Sequence, residues 1–187
     1  MWMVHRRLRP EEFGGRVHQT KVGAAQYPIH PDLLNSGVLD RVFATNSTYL
    51  LPQAYAEGCP LHPSYPAGHA TVAGACSTML KAFFDESGLV TDCVMASADG
   101  LSLIPCEGLA LLVGGEINKL AFNIAMGRNF AGIHYRSDAE AGFRLGEEVA
   151  IAMLQDLVRT FNEDFEGFEF TLLDGTPVKI NKAGILQ

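Results

Sequence analysis

One stretch constrains the fold most, because it places two histidines at the start of an apolar helical pattern. It reads His62-Pro63-Ser64-Tyr65-Pro66-Ala67-Gly68-His69-Ala70-Thr71. Pro66 predicts the first helical position, since a helix start does not use the N–H that proline lacks. Small and apolar residues then recur at helical spacing to about Glu86, namely Ala70, Ala73, Cys76, Ser77, Leu80 and Phe83 or Phe84.

The first turn of that helix predicts an anion site. Gly68 and His69 lie where free backbone N–H groups and the positive end of the helix dipole point outward. Gly68 has no side chain and therefore leaves room for a tetrahedral oxyanion to touch the backbone. His69 adds a group that titrates near neutral pH.

The remaining segments predict further helices and one terminal hairpin. A turn that starts at Pro10 should end at Gly14-Gly15, and residues 17–31, 46–61 and 87–105 are predicted loops. Helices are predicted over residues 31–34 and 38–43, from about 108 to 130, and from Asp138 to about Phe161. The alternating segment 168–180 has Asp174-Gly175 at its centre, which predicts a β-hairpin. The expected fold class is mainly α, a helical bundle with a short C-terminal β-hairpin.

Length, charge and cysteine spacing narrow the class of protein. A chain of 187 residues predicts a single domain over residues 1–187. The net charge of −7 argues against nucleic-acid binding. No segment approaches the apolar length of a membrane span and none resembles a signal peptide, so a cytoplasmic location is the default expectation. The four cysteines show no CxxC spacing and are expected to be free thiols: Cys59, Cys76, Cys93 and Cys106.

A second stretch, from Arg128 to Asp138, contains an arginine, a histidine six residues later and an aspartate four residues after that. Together with Arg9-Pro10 and Pro66-Ala67-Gly68-His69, this order of motifs resembles the vanadium-dependent haloperoxidases, most closely the bromoperoxidase branch. It resembles more distantly the acid phosphatases that share the fold. Three motifs in this order are a specific signal. The resemblance implies a helical bundle of this type, corresponding to the C-terminal catalytic portion of a longer haloperoxidase.

The resemblance also implies a set of residues that bind vanadate, the cofactor of that family. His134 would be the metal ligand and catalytic. Asp138, one helical turn later, would hold the other ring nitrogen of His134. Arg9, Arg128 and Gly68 would bind the oxygens of the anion, the arginines through forked guanidinium groups.

The implied reaction oxidises a halide with hydrogen peroxide. His69 would be the acid–base catalyst that takes a proton from peroxide, and His62 would lie on the halide side. Vanadium would act as a Lewis acid, and bromide would leave as hypobromous acid, which halogenates an organic acceptor. Three of these residues also have structural interpretations: Arg9 as a surface arginine, His62 as a loop histidine and Asp138 as an acid at a helix N-terminus.

Two departures from the family pattern predict weak or incomplete activity. The family lysine, eight residues before the first arginine, falls at Met1 in this sequence. Ala67 stands where the family commonly has serine, which removes a hydroxyl. A lost hydrogen bond to a charged group costs about 1.5–3 kcal/mol.

Two alternative functions remain open at this point. The first is a phosphohydrolase that uses the same pocket, with His134 as nucleophile and His69 as general acid. The second is a non-catalytic product of a truncated or split gene. The family's helical segment before the first motif is absent from this sequence, so we expect a homo-oligomer or pairing with a missing N-terminal segment.

Overall fold

The computed structural model describes residues 1–106 and 108–186 and confirms the mainly helical class. Its helices are α1 (Trp2–His5), α2 (Pro10–Lys21), α3 (Pro31–Leu34), α4 (Gly37–Asn46), α5 (Gly68–Phe83), α6 (Val113–Phe130) and α7 (Arg136–Thr160). Its strands are β1 (Val94–Ala96), β2 (Leu103–Pro105), β3 (Phe168–Thr171), β4 (Pro177–Asn181) and β5 (Gly184–Leu186). None of the helices in the described ranges is long and apolar enough to span a membrane.

The chain groups into two compact units. The first comprises Met1–Thr71 and Ile124–Phe143, and the second comprises Val72–Asn123 and Arg144–Gln187. The single domain over residues 1–187 stays a prediction. All residues of the sequence-predicted site belong to the first unit, so the geometry of that site is contained within one unit.

Helix α2 of the first unit differs from the prediction, because it continues through Gly14-Gly15 to Lys21. Val17 on this helix is buried and forms an apolar cluster with Ile29 and Leu39. A Cβ at Gly14 would lie 2.9 Å from the Cβ of Leu51. The glycine therefore allows a close contact between helix and loop, and burial of this helix face outweighs the low helix propensity of two glycines.

Small residues pack the start of α5 against α7 within the first unit. Ala67, Ala70 and Ala139 are buried together with Ala125 of α6. A Cβ at Gly142 of α7 would lie 2.6 Å from the carbonyl oxygen of Ala67. Since Ala67 directly precedes the predicted anion site, the packing at Gly142 sets the position of that site.

We expect Gly142→Ala to destabilise the protein by about 1–3 kcal/mol, because overpacking forces the backbone near Ala67 to move. Urea unfolding measures this change. Gly15→Ala is the matched control, since Gly15 is also helical and a Cβ there would meet nothing within 4 Å. That control should gain about 0.5–1 kcal/mol, and a stable Gly142→Ala variant would contradict the close packing.

The terminal hairpin of the second unit is confirmed, with Phe170 of β3 opposite Val178 of β4. These two residues pack with Leu154 of α7 and Ile180 of β4 in a buried cluster. The structure adds a third antiparallel strand, β5, beside β4. The sequence analysis missed β5 because a three-residue strand is too short to show a period-2 pattern.

A second hairpin lies in the segment predicted to be a loop, where β1 pairs with β2 and Val94 lies opposite Pro105. This pairing brings Cys93 and Cys106 together with their Cα atoms 5.2 Å apart, and they form a disulfide. The expectation of free thiols is therefore wrong for this pair, because the hairpin decides which cysteines meet. Cys59 and Cys76 are free, as predicted.

Helix α5 begins at Gly68, two residues later than predicted, and its buried face differs from the predicted one. Ala73 and Ser77 are buried as expected, whereas Leu80 and Phe83 are exposed, as is Cys76. Lys81 is fully buried instead, and its ammonium donates to the carbonyl oxygen of Thr171. Burial lowers the pKa of Lys81, while Glu147 and Glu86 oppose that shift.

The starts of two other helices also differ from the prediction. Helix α6 begins at Val113 rather than at about residue 108, and α7 begins at Arg136 rather than at Asp138.

Candidate oxyanion site

His134 and Asp138 form the centre of the candidate site at the start of α7. The ring Nδ1 of His134 lies 3.2 Å from Oδ2 of Asp138. His134 is 6% exposed and Asp138 is fully buried. An ionised carboxylate only accepts hydrogen bonds, which assigns a proton to Nδ1, and in the neutral imidazole Nε2 is then the nitrogen with the free lone pair. This is the arrangement that a histidine ligand with a second-sphere carboxylate requires.

Asp138 accepts three further hydrogen bonds. Arg7 Nη1 donates to Oδ1 at 2.8 Å, whereas the Ser64 hydroxyl and the backbone N–H of Tyr135 donate to Oδ2. Burial raises the pKa of Asp138, but the hydrogen bonds from His134, Ser64, Tyr135 and Arg7 outweigh burial and hold this pKa below its usual range. The carboxylate is therefore ionised at neutral pH.

Arg9 lies directly before α2 and is only 6% exposed, which excludes the surface-arginine interpretation. Its Nη1 lies 3.0 Å from Nε2 of His134 and donates to the carbonyl oxygen of Ile133 at 3.1 Å. Its Nη2 lies 3.1 Å from Nδ1 of His62. The guanidinium group thus bridges the two histidines, and it contacts the nitrogen of His134 that carries the free lone pair.

Arg128 and His69 bring further positive or titratable groups to the same place. Arg128 lies in the last turn of α6, and its Nε is buried without a hydrogen-bond partner in the described part of the chain. Burial lowers the pKa of Arg9, and the charge of Arg128 adds to that shift. Burial, Arg128 and His134 all lower the pKa of His69. An orphaned guanidinium N–H beside a second arginine is the kind of donor that an oxyanion satisfies.

Gly68 is the first residue of α5, so it lies at a helix start, where the sequence predicts an anion site. A Cβ at Gly68 would meet nothing within 4 Å, which leaves space beside the backbone. Ala67 is fully buried in the alanine cluster, and its N–H donates to the carbonyl oxygen of Asp138 at 2.9 Å. A serine hydroxyl at this position would therefore enter a packed apolar contact.

His62 packs against Trp2, a residue that the sequence analysis did not place in the site. The two rings are stacked with their centroids 3.8 Å apart. The indole N–H of Trp2 donates to the carbonyl oxygen of Pro66 at 2.9 Å. His62 is thus held between the Trp2 indole and the Arg9 guanidinium, which gives this loop histidine a fixed orientation.

We expect His62→Ala to shift the fluorescence emission of Trp2 to longer wavelength, because the indole loses its stacked neighbour and gains contact with water. Trp2 is the one tryptophan of the chain, so the emission reports the surroundings of this indole. The lost stack should also cost about 0.5–1.5 kcal/mol. His5→Ala is the control, since His5 packs on Tyr65. Unchanged emission in His62→Ala would show that the stack does not form.

The structure adds Arg7 and Ser64 to the predicted residues around Asp138. Arg7 lies two residues before Arg9, and Ser64 lies two residues after His62. Both residues lie close to the sequence motifs, and this was the only hint of a role in the site. Their position does not predict a contact with Asp138, which lies about 130 residues from Arg7 and 74 from Ser64. Arg136, two residues after His134, pairs instead with Glu140 on the exposed side of α7.

Comparisons with known proteins indicate one family. The model of the VCPO second helical-bundle domain matches residues 46–163. A "Vanadium-dependent bromoperoxidase" of Ascophyllum nodosum is 45% identical over 98% of this chain and 35% of its own length. Proteins of the same name from Corallina officinalis and Corallina pilulifera are 40% and 42% identical, each over 95% of this chain and 33% of its own length.

The chain therefore spans about a third of the length of these curated relatives. The family model matches well over half of the chain. Its range includes every residue of the sequence-predicted site except Arg9. We conclude that the chain belongs to the vanadium-dependent haloperoxidase family, on its bromoperoxidase branch.

Proposed function

We propose that this chain carries the vanadate pocket of a bromoperoxidase, which oxidises bromide with hydrogen peroxide. The reaction consumes hydrogen peroxide, bromide and a proton, and it yields hypobromous acid and water. Hypobromous acid then halogenates an organic acceptor. The membership in the family and the arrangement of charged groups around His134 support this proposal.

The orphaned Nε of Arg128 is the single observation that carries the proposal. This atom is buried and has no hydrogen-bond partner among the described residues, although guanidinium N–H groups are strong donors. Arg9 lies close enough to Arg128 for the two charges to interact unfavourably. A trivalent or divalent oxyanion would accept from both groups and relieve this repulsion.

His134 and the two arginines would hold the anion. The hydrogen bond from Nδ1 to Asp138 leaves Nε2 of His134 as the nitrogen that binds. In the present structure Nε2 lies 3.0 Å from Nη1 of Arg9. An anion that binds Nε2 would therefore replace the contact between His134 and Arg9. Gly68 and the free N–H groups at the start of α5 would add neutral donors. Bound vanadate would supply a Lewis acid that activates hydrogen peroxide.

His69 would accept the proton that peroxide loses on binding. Burial, Arg128 and His134 lower the pKa of His69, which increases the fraction of neutral imidazole at pH 7. A neutral imidazole is a proton acceptor, so this environment suits a general base. His62, held by Trp2 and Arg9, would face the bromide side.

The same environment of His69 weighs against the phosphohydrolase alternative. A phosphohydrolase that uses His134 as nucleophile needs His69 to be protonated, so that it can donate to the leaving group. A lowered pKa reduces that protonated fraction at neutral pH. Ala67 offers no hydroxyl to an anion, which still predicts weaker vanadate binding than at a site with the family's serine.

A bromination assay tests the proposed function. The chain is supplied with hydrogen peroxide and bromide, with and without vanadate, and bromination of a phenol dye is followed by absorbance. We expect activity only with vanadate, and we expect His69→Ala to lower the rate by about 10²–10⁴-fold. His18→Ala is the control, since His18 contacts Thr48 and Tyr49 rather than the site. Hydrolysis of a phenyl phosphate without any bromination would favour the phosphohydrolase alternative.

A further inference from the structure

We infer that Arg7 is a positioning residue for His134, acting through Asp138 together with Ser64. The side-chain hydrogen bonds that the structure gives to Arg7 go to the Asp138 carboxylate and to the Ser137 hydroxyl in the first turn of α7. The effect on vanadate affinity rests on the proposed function. The effect on the His134 ring does not, because it can be measured without any oxyanion.

The two oxygens of Asp138 have unequal partners. Oδ2 accepts from the Ser64 hydroxyl, from the Tyr135 N–H at 3.0 Å and from His134 Nδ1. Oδ1 accepts from Arg7 Nη1 at 2.8 Å. Arg7 is the partner that the structure gives to Oδ1, and its side chain is 40% exposed, so its removal would replace a charged donor with water at an oxygen that is otherwise buried. The carboxylate would then turn toward other donors and loosen its contact with His134.

Arg7 is itself fixed by three further contacts. Its Nη1 also donates to the Ser137 hydroxyl at 2.6 Å. Its guanidinium carbon lies 4.7 Å from the centre of the Tyr65 ring. Its carbonyl oxygen accepts from the backbone N–H of Ser64 at 3.0 Å. Arg7 therefore links the segment before α2, the loop before α5 and the first turn of α7, which are the elements that hold Arg9, Gly68 and His134.

The consequence for His134 concerns its tautomer. With Asp138 held in place, Nδ1 donates to the carboxylate and Nε2 accepts from Arg9. The opposite tautomer would point an N–H from Nε2 at an N–H of Arg9, and it would leave the carboxylate without its imidazole donor. If Asp138 is held less firmly, the preference for the first tautomer decreases. A smaller fraction of His134 then has the free lone pair on Nε2 that binding of the anion requires.

The first test is ¹⁵N NMR of the histidine rings in the chain without oxyanion, with His134 assigned from the spectrum of His134→Ala. In the wild type we expect the proton on Nδ1. In Arg7→Gln we expect shifts for both nitrogens that report a mixture of tautomers. Arg136→Gln is the matched control, because it removes the same charge two residues from His134 on an exposed side chain. Wild-type shifts in Arg7→Gln would overturn the inference.

The second test is vanadate affinity by titration calorimetry. Loss of a partner that orients a metal-binding histidine costs about 10- to 100-fold in affinity, and we expect this loss in Arg7→Gln. Arg7→Lys should recover part of the affinity because it restores the charge, and Arg136→Gln should bind like the wild type. In an Asp138→Asn background, Arg7→Gln should have little further effect, since its target is already changed.

The outcomes separate the two proposals. A wild type that binds no vanadate contradicts the proposed function, and the NMR comparison then decides the role of Arg7 alone. Equal affinities for the wild type and Arg7→Gln overturn the inference and leave the proposed function standing. If Arg7→Gln does not fold, as judged by circular dichroism, Ser64→Ala and Arg7→Lys carry the same comparison, because each perturbs Asp138 while retaining its other donors.

Discussion

Replacing His134 with alanine is expected to abolish the stabilisation of this chain by vanadate. The substitution removes the Nε2 lone pair that Asp138 keeps available and that now contacts Arg9. A ligand at 100 times its dissociation constant stabilises a folded protein by about 2.7 kcal/mol. For a chain of this size that raises Tm by about 5–10 °C. Thermal unfolding with and without vanadate measures the rise in the wild type and its loss in the variant.

His30→Ala is the matched control for this experiment, because it removes a histidine from the exposed start of α3. It should lower Tm slightly, since His30 caps that helix through the Asp32 N–H, but the vanadate-induced rise should remain. A wild type whose Tm does not respond to millimolar vanadate would contradict the proposed pocket. A full response in His134→Ala would show that the anion binds elsewhere.

Asp138→Ala is expected to have the largest effect on stability. Asp138 is fully buried and accepts from Arg7, Ser64, Tyr135 and His134. Removing one partner of a buried charged pair costs about 3–5 kcal/mol, because the buried Ser64 and His134 lose their acceptor. Urea unfolding followed by circular dichroism gives the change in the free energy of unfolding.

Asp40→Ala provides the comparison, since Asp40 is an exposed acid in the first turn of α4. Its loss should change stability by no more than about 1 kcal/mol. A cost below about 1 kcal/mol for Asp138→Ala as well would mean that the hydrogen bonds around the carboxylate contribute little. The interpretation of Asp138 as a simple helix N-terminal acid would then be sufficient.

The sequence by itself determined the parts of this protein that depend on local spacing. His134 and Asp138 are four residues apart, and this short separation across the N-terminus of α7 lets the imidazole reach the carboxylate in the first helical turn. Pro66 indicated a nearby helix start, and Gly68 and His69 lie in the first turn of α5 as that pattern predicted, although the helix begins two residues later than expected. The Asp174-Gly175 turn specified the β3–β4 hairpin, since Gly175 adopts a positive φ of 90° that other residues rarely accept. The order of the motifs indicated the family.

Tertiary structure decided what depends on contacts between distant segments. The burial of Arg9 and its place between His62 and His134 follow from packing of segments 53 and 125 residues away. Arg7 and Ser64 reach Asp138 in the same way, and no local pattern distinguishes them from ordinary surface residues.

The buried face of α5 and the pairing of the cysteines were likewise beyond the sequence. Lys81 is buried because its ammonium finds the Thr171 carbonyl, while Phe83 on the same helix is 81% exposed. A hydrophobic period can identify an amphipathic helix, but it cannot tell which face finds a partner when both faces carry apolar residues. Cys93 meets Cys106 because β1 and β2 pair in a defined register, and that register is a property of the folded chain.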